Sequence, residues 1–223
     1  MEQKKVQVYM MPGMAANPSI FANINLPDSL FCVHWLYWKV PFKGETLQDY
    51  ALRITKDIVH ESPVLIGVSF GGVLVQEMSK HIKVKRLIVI SSVKTRKELP
   101  KRMVFARYTK VHKLLPTGLV NNVELLSKYA FGETVTKRLE LYEKFLSVRD
   151  KSYIDWSLDQ IINWKQDKPL PGIIHIHGSK DAVFPVVNIS DCIEVKEGTH
   201  IMIINRFRWF NKHLPKLILE GSL

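Results

Sequence analysis

Cysteine is scarce in this chain. Its 223 residues include two, Cys32 and Cys192. They share no C-x-x-C spacing, so a disulfide framework is excluded and no metal signal arises. Both lie in apolar runs, FCVHWLYW and DCIEV, and are expected to be reduced core residues. Long hydrophobic runs are also missing. No stretch approaches the ~20 apolar residues that span a bilayer, so no membrane span is expected. The apolar patch in MEQKKVQVYMMPGMAANP is too short for the hydrophobic region of a signal peptide and carries a strand pattern of its own. A cytoplasmic location is the expectation. Internal repeats and low-complexity tracts are absent, which excludes solenoids and linkers. Acidic residues are in deficit, 21 against 32 Lys and Arg, for a net charge of +11. Much of the excess falls in residues 80–113 and in the C-terminal RFRWFNKH. A solvated basic surface accounts for it.

What is present is ordinary globular material, 46% hydrophobic and 24% charged, in a length that suits one domain. Apolar, β-rich runs alternate with helical patterns. Strands are expected at about 6–10, 31–38, 64–68, 86–92, 172–177 and 191–195. Helices are expected at about 46–60, 70–82, 133–148, 153–165 and 203–213, with Pro215 limiting the last. Strands that are continuously apolar and separated by helices argue for an α/β fold, a parallel sheet covered on both faces. The rhythm stops over residues 93–150, which read as a basic, helical insertion. It is expected to form a small helical cap on a single domain spanning 1–223.

One hexapeptide stands out. GVSFGG (67–72) follows the buried run PVLIGV and opens a helix, which puts Ser69 at the C-terminal end of a parallel strand. Open α/β sheets bind ligands there, and Gly-x-Ser-x-Gly is the pattern of a nucleophile on a sharp strand-to-helix turn. Gly67 and Gly71 would keep side chains out of the space the turn closes on, and Gly72 would permit close helix–strand packing. The Phe70 N–H would sit at the N-terminus of the new helix, aimed at developing negative charge. A glycine-bracketed serine can equally be a plain tight turn or a phosphate-binding one.

A serine hydroxyl needs a base. Of eight histidines, His200 lies in KEGTHIMI, a loop between the last strand and the last helix, on the same side as Ser69. The base needs a carboxylate to orient it. Asp181 in HIHGSKDAVFP follows the fifth strand, while Asp155 and Asp159 fall inside a helix and Asp191 falls at the wrong end of the sheet. An aspartate in such a turn can also serve only to cap its own backbone. A second oxyanion donor should come from YMMPGMAANPS after the first strand. There Gly13 allows a turn close to the active centre, and the Met14 N–H is the natural donor.

With these residues in place, PGM (12–14), GVSFGG (67–72), HGSKDAVFP (177–185) and EGTH (197–200), in that order, resemble the α/β-hydrolase superfamily over nearly the whole chain except 93–150. The resemblance implies a nucleophile on the third strand, a triad in the chain order Ser69, Asp181, His200, and hydrolysis of an ester, thioester or amide through an acyl-enzyme. With the family's N-terminal hairpin missing, it implies the strand order 2-1-3-4-5-6. Pro12 departs from the histidine often found before the glycine of the oxyanion loop. No metal or cofactor is required. The expected partner is a small acyl substrate. An anionic one, such as a coenzyme A thioester, is the sharper reading of the basic charge, and nucleic acid ranks last because no nucleic-acid motif accompanies that charge. Met103, Phe105, Tyr108, Leu114 and Leu115 are candidates for an acyl pocket under the cap. A non-catalytic binding or scaffold protein, and a lyase or carbon–carbon bond hydrolase using the same site, stay open.

Overall fold

The computed structural model describes residues 4–110 and 145–223. Six strands form one sheet: β1 (Val6–Met11), β2 (Phe31–Trp35), β3 (Val64–Val68), β4 (Arg86–Ile90), β5 (Ile174–Gly178) and β6 (Ile193–Val195). Their order is β2-β1-β3-β4-β5-β6, and every neighbouring pair is parallel. All five residues of β3 and all five of β5 are buried. That is the reason these strands read as unbroken apolar runs: both faces of the sheet are covered.

The helices among the described residues are α1 (Leu47–Thr55), α2 (Phe70–Met78), α3 (Lys101–Thr109), α4 (Lys151–Ile162), α5 (Met202–Asn205) and α6 (Phe207–Glu220). Thr46 caps α1, its side chain accepting the Asp49 N–H, and Leu47, Tyr50, Ala51 and Ile54 form its buried face. Asp150 caps α4 by accepting the Tyr153 N–H. Helix α2 is buried along its whole length, which fits its place against the sheet and against α1 and α4. Because the sheet is parallel, the loops after all six strands emerge along one edge.

Several boundaries differ from expectation. Helix α1 stops at Thr55 rather than near His60. Its last turn tightens into bonds from the N–H groups of Lys56, Asp57 and Ile58 to carbonyls three residues back. Ser62 then takes a left-handed φ of 46° before Pro63 starts the approach to β3. Strand β2 ends at Trp35; beyond it Leu36 still donates to the Met10 carbonyl, Tyr37 is exposed, and Trp38 turns in to bond the loop after β1. Helix α6 runs through Pro215 to Glu220 instead of ending at His213. Burial of Leu214, Leu217 and Ile218 on its inner face outweighs the ~3 kcal/mol that an interior proline costs a helix. Cys32 and Cys192 are free thiols, but both are half-buried rather than in the core.

The insertion is described only at its ends. A single 3₁₀ turn (Arg96–Glu98) and α3 follow β4. The expected helix over 133–148 lies almost wholly outside the described residues, as do Leu114 and Leu115. In α3, Met103 is half-buried while Phe105 and Tyr108 are 64% and 79% exposed. Over its described part, residues 80–110, the basic run does not form one solvated face. Lys94 is buried beside Glu98, and Lys80 pairs with Glu77.

Candidate active site

Ser69 sits directly between β3 and α2 with φ 53° and ψ −122°. A residue with a Cβ avoids this region, and the conformation costs of order 1–3 kcal/mol. The surroundings impose it. The Ser69 N–H donates to the Ile90 carbonyl at 2.9 Å, and the Ser69 carbonyl accepts the Gly72 N–H at 2.9 Å and the Ser92 hydroxyl at 2.7 Å. The turn is also too tight for side chains. A Cβ on Gly67 would stand 2.3 Å from the Gly71 carbonyl oxygen, and one on Gly71 would stand 2.3 Å from the Pro12 carbonyl oxygen. The second clash shows how closely the start of α2 abuts the end of β1.

The histidine and the carboxylate arrive from the loops after β6 and β5. His200 Nε2 is 3.0 Å from Ser69 Oγ, and His200 Nδ1 is 2.9 Å from Asp181 Oδ2 and 3.1 Å from Oδ1. An ionised carboxylate only accepts, so Nδ1 carries the proton. Nε2 is then a free lone pair facing the serine hydroxyl. The two loops meet because both are glycine at the contact: a Cβ on Gly178 would lie 2.3 Å from the Gly198 carbonyl oxygen. The Lys180 N–H closes the junction, donating to that carbonyl at 2.8 Å.

Asp181 makes the contacts of both roles expected of it. Its Oδ1 accepts the N–H groups of Val183 at 2.8 Å and Phe184 at 2.9 Å, so it caps its own turn while it holds His200. Burial raises the affinity of this carboxyl for a proton. The charge and hydrogen bond of His200, the Phe184 N–H and the nearby His177 together outweigh burial and hold its pKa below the usual carboxylate value. Asp181 is therefore ionised, although only 4% of it is exposed.

The loop after β1 runs beside the serine. The position a Cβ would take on Gly13 is 3.4 Å from the Ser69 Cβ and 3.5 Å from the Val68 carbonyl oxygen. The left-handed residue of this loop is Ala15, with φ 62°, and not Gly13. Neither the Met14 N–H nor the Phe70 N–H has an acceptor among the described residues. In the case of Phe70 this follows from its place as the first residue of α2, where backbone donors have no partner within the helix.

Some neighbours of the site carry no sequence signal. Trp38, read as the end of a strand, donates its indole N–H to the Gly13 carbonyl at 2.8 Å. The Tyr153 hydroxyl accepts the Ala15 N–H at 3.3 Å. Behind Asp181, His177 Nε2 donates to the Phe184 carbonyl at 2.8 Å, and His175 Nε2 donates to His177 Nδ1 at 3.0 Å. Burial lowers the pKa of both imidazoles, so the 3.6 Å approach of His177 Nε2 to Asp181 Oδ2 is the contact of a neutral ring. Cations near the acid loop are already engaged: Lys180 pairs with Glu197, and Arg102 donates to the carbonyls of Ala182 and Val183. Among the described residues, no group of three or more His, Cys, Asp and Glu side chains could hold a metal ion. Among them, too, no helix is long and apolar enough to cross a membrane.

No protein-family model and no curated protein matches the chain. Solved structures do. An enol-lactonase from Burkholderia xenovorans superposes with a TM-score of 0.71 at 14% identity, over 98% of this chain and 93% of that one. An esterase from Exiguobacterium antarcticum gives 0.69 at 19% identity, over 98% and 93%. A thermophilic esterase from Thermogutta terrifontis gives 0.69 at 13% identity, over 99% and 92%. At such identities the likeness is one of architecture, and it spans nearly the full length of each partner. With six parallel strands in the order above and a strained serine after the third, the fold of this chain is that of the α/β-hydrolases.

Proposed function

We propose that the chain is a serine hydrolase that cleaves a carboxylic ester or thioester through an acyl-enzyme intermediate. The observation that carries this reading is the unbroken hydrogen-bond line from Ser69 Oγ through His200 to the ionised Asp181. His200 Nε2 takes the hydroxyl proton as Ser69 Oγ attacks the substrate carbonyl carbon. The Met14 and Phe70 N–H groups, which have no acceptor among the described residues, receive the oxygen that becomes negative. Protonated His200, stabilised by Asp181, then gives its proton to the leaving alcohol or thiol. Water repeats the cycle and releases the acid. Each step uses only groups of the chain and water. The solved neighbours named as esterases and a lactonase support ester chemistry on this fold.

With Lys180 and Arg102 engaged, the reading carries no demand for an anionic substrate. The free thiols fit a reducing compartment, and we place the reaction in the cytoplasm.

The test is labelling by a fluorophosphonate together with turnover of p-nitrophenyl esters of increasing acyl length. The wild type takes the label and turns over at least one ester, and Ser69→Ala does neither. A folded wild type that refuses the label would leave a non-catalytic binding role as the better account. Labelling that persists in Ser69→Ala would move the nucleophile elsewhere.

A further inference from the structure

We infer that Trp38 is a positioning residue of the oxyanion pocket, fixing the peptide that presents the Met14 N–H. This inference rests on the hydrolase reading above. Its origin is a single bond, the indole N–H of Trp38 to the Gly13 carbonyl at 2.8 Å. The Gly13 carbonyl and the Met14 N–H belong to one planar trans peptide, so they point in opposite directions. Holding the oxygen on one side aims the hydrogen to the other. Here the Gly13 backbone lies against Ser69, with the Cβ position of Gly13 3.4 Å from the Ser69 Cβ. The Ala16 N–H also reaches the Gly13 carbonyl, at 3.1 Å, but it belongs to the same loop and moves with it. Trp38 comes from the segment after β2 and anchors the loop from outside. A donor bonded to the carbonyl also polarises the amide and makes its N–H the stronger donor.

Three further contacts make the anchor rigid. The Trp38 ring stacks on Phe70, centroids 5.2 Å apart and planes within 7°, and Phe70 carries the other proposed oxyanion donor. Tyr153 packs on the Trp38 ring at 5.3 Å. Its hydroxyl accepts the Ala15 N–H at 3.3 Å, which fixes the peptide on the far side of Met14. Met14 is thus clamped between two aromatic anchors, next to an alanine held at φ 62°. A buried indole N–H needs some acceptor; here that acceptor is the carbonyl of the peptide that carries the Met14 N–H.

The experiment is Trp38→Phe, which keeps a ring on Phe70 and deletes the N–H. For the best ester found with the wild type, kcat is expected to fall about tenfold, since complete loss of an oxyanion donor costs ~10²–10³ and here the donor is only loosened. KM should stay within about twofold. A trifluoromethyl ketone, which forms a tetrahedral oxyanion on a reactive serine, should bind more weakly by the same factor as kcat/KM falls. An uncleavable ether analogue of the substrate should bind as before. A purely structural tryptophan would not separate these two ligands. If Trp38→Phe unfolds readily, Tyr153→Phe tests the opposite side of the clamp, with an expected loss of about threefold in kcat and the same ligand split. Unchanged kcat and ketone affinity in a variant whose wild type labels with fluorophosphonate would overturn this inference alone, as would equal losses for ketone and ether. A wild type that takes no label would overturn the hydrolase reading and this inference with it.

Discussion

Asp181 divides one carboxylate between two duties. Oδ1 serves the Val183 and Phe184 N–H groups, and Oδ2 makes the shorter bond to His200. Asp181→Asn separates the duties. The amide oxygen can still accept both turn donors, while the amide nitrogen must face His200 Nδ1. Two donors then oppose each other, the imidazole proton moves to Nε2, and no lone pair is left for the Ser69 hydroxyl. For a triad aspartate this change costs on the order of 10⁴ in kcat with geometry intact. We expect that loss here, with KM and the thermal midpoint close to wild type. Asp181→Ala should lose activity and stability together, because each orphaned buried N–H costs about 1–3 kcal/mol. Asp181→Asn with more than a tenth of wild-type kcat would remove Asp181 from the mechanism. The proposed triad and Phe70 were legible in the sequence because a turn or loop at a strand end is a local pattern. Trp38 and Tyr153 were not. They reach the loop after β1 from 25 and 138 residues away, and nothing in FCVHWLYW or YIDWSLDQ marks which buried aromatic bonds a backbone group of that loop.

Elements were legible where periodicity and punctuation agree. Strand β3 matches its expected span because Pro63 opens it and Ser69 closes it. Ends set by tertiary packing were not legible: β2 gives up Trp38 to the loop after β1, and α6 ignores its proline. Pro215 has no N–H to offer the Asn211 carbonyl, and its ring crowds that oxygen. The helix persists because Leu214, Leu217 and Ile218 are buried. Pro215→Ala should therefore stabilise the protein. Relief of up to ~3 kcal/mol in the helix is reduced by ~1 kcal/mol from the freer unfolded chain. The net gain of about 1–2 kcal/mol corresponds to a rise of several degrees in the thermal midpoint for a domain of this size. Differential scanning calorimetry decides it, and an unchanged or lower midpoint would mean that α6 bends at Pro215 without cost.

The molecule as a whole carries +11 at neutral pH and buries two imidazoles behind the proposed triad, and both features bear on its response to acid. His175 is lowered first by burial, then by His177 and Lys94. His177 is lowered first by burial and then by His200, against the opposing pull of Asp181, the Phe184 carbonyl and Glu98. Their folded pKa values thus lie below the ordinary imidazole value of about 6.5. Below that pH the unfolded chain binds protons that the folded chain refuses, so stability falls as pH falls. A histidine that stays neutral in the folded chain contributes at most ~1.4 kcal/mol per pH unit. Asp181 acts in a separate window. Its pKa is depressed, so the stability it adds is intact at these pH values and is lost only further down, below the ordinary carboxylate value near 4. Rising net positive charge would also weaken the fold in acid, but surface repulsion is screened at 0.5 M salt, where the Debye length is only about 4 Å. Desolvation of buried rings is not screened. Urea midpoints measured at pH 7.5, 6.5 and 5.5 in 0.5 M NaCl should therefore fall with pH in the wild type and fall less steeply in His175→Gln. A wild type with a flat profile, or a variant with the wild-type slope, would mean that these two rings accept protons in the folded state as readily as in the unfolded one.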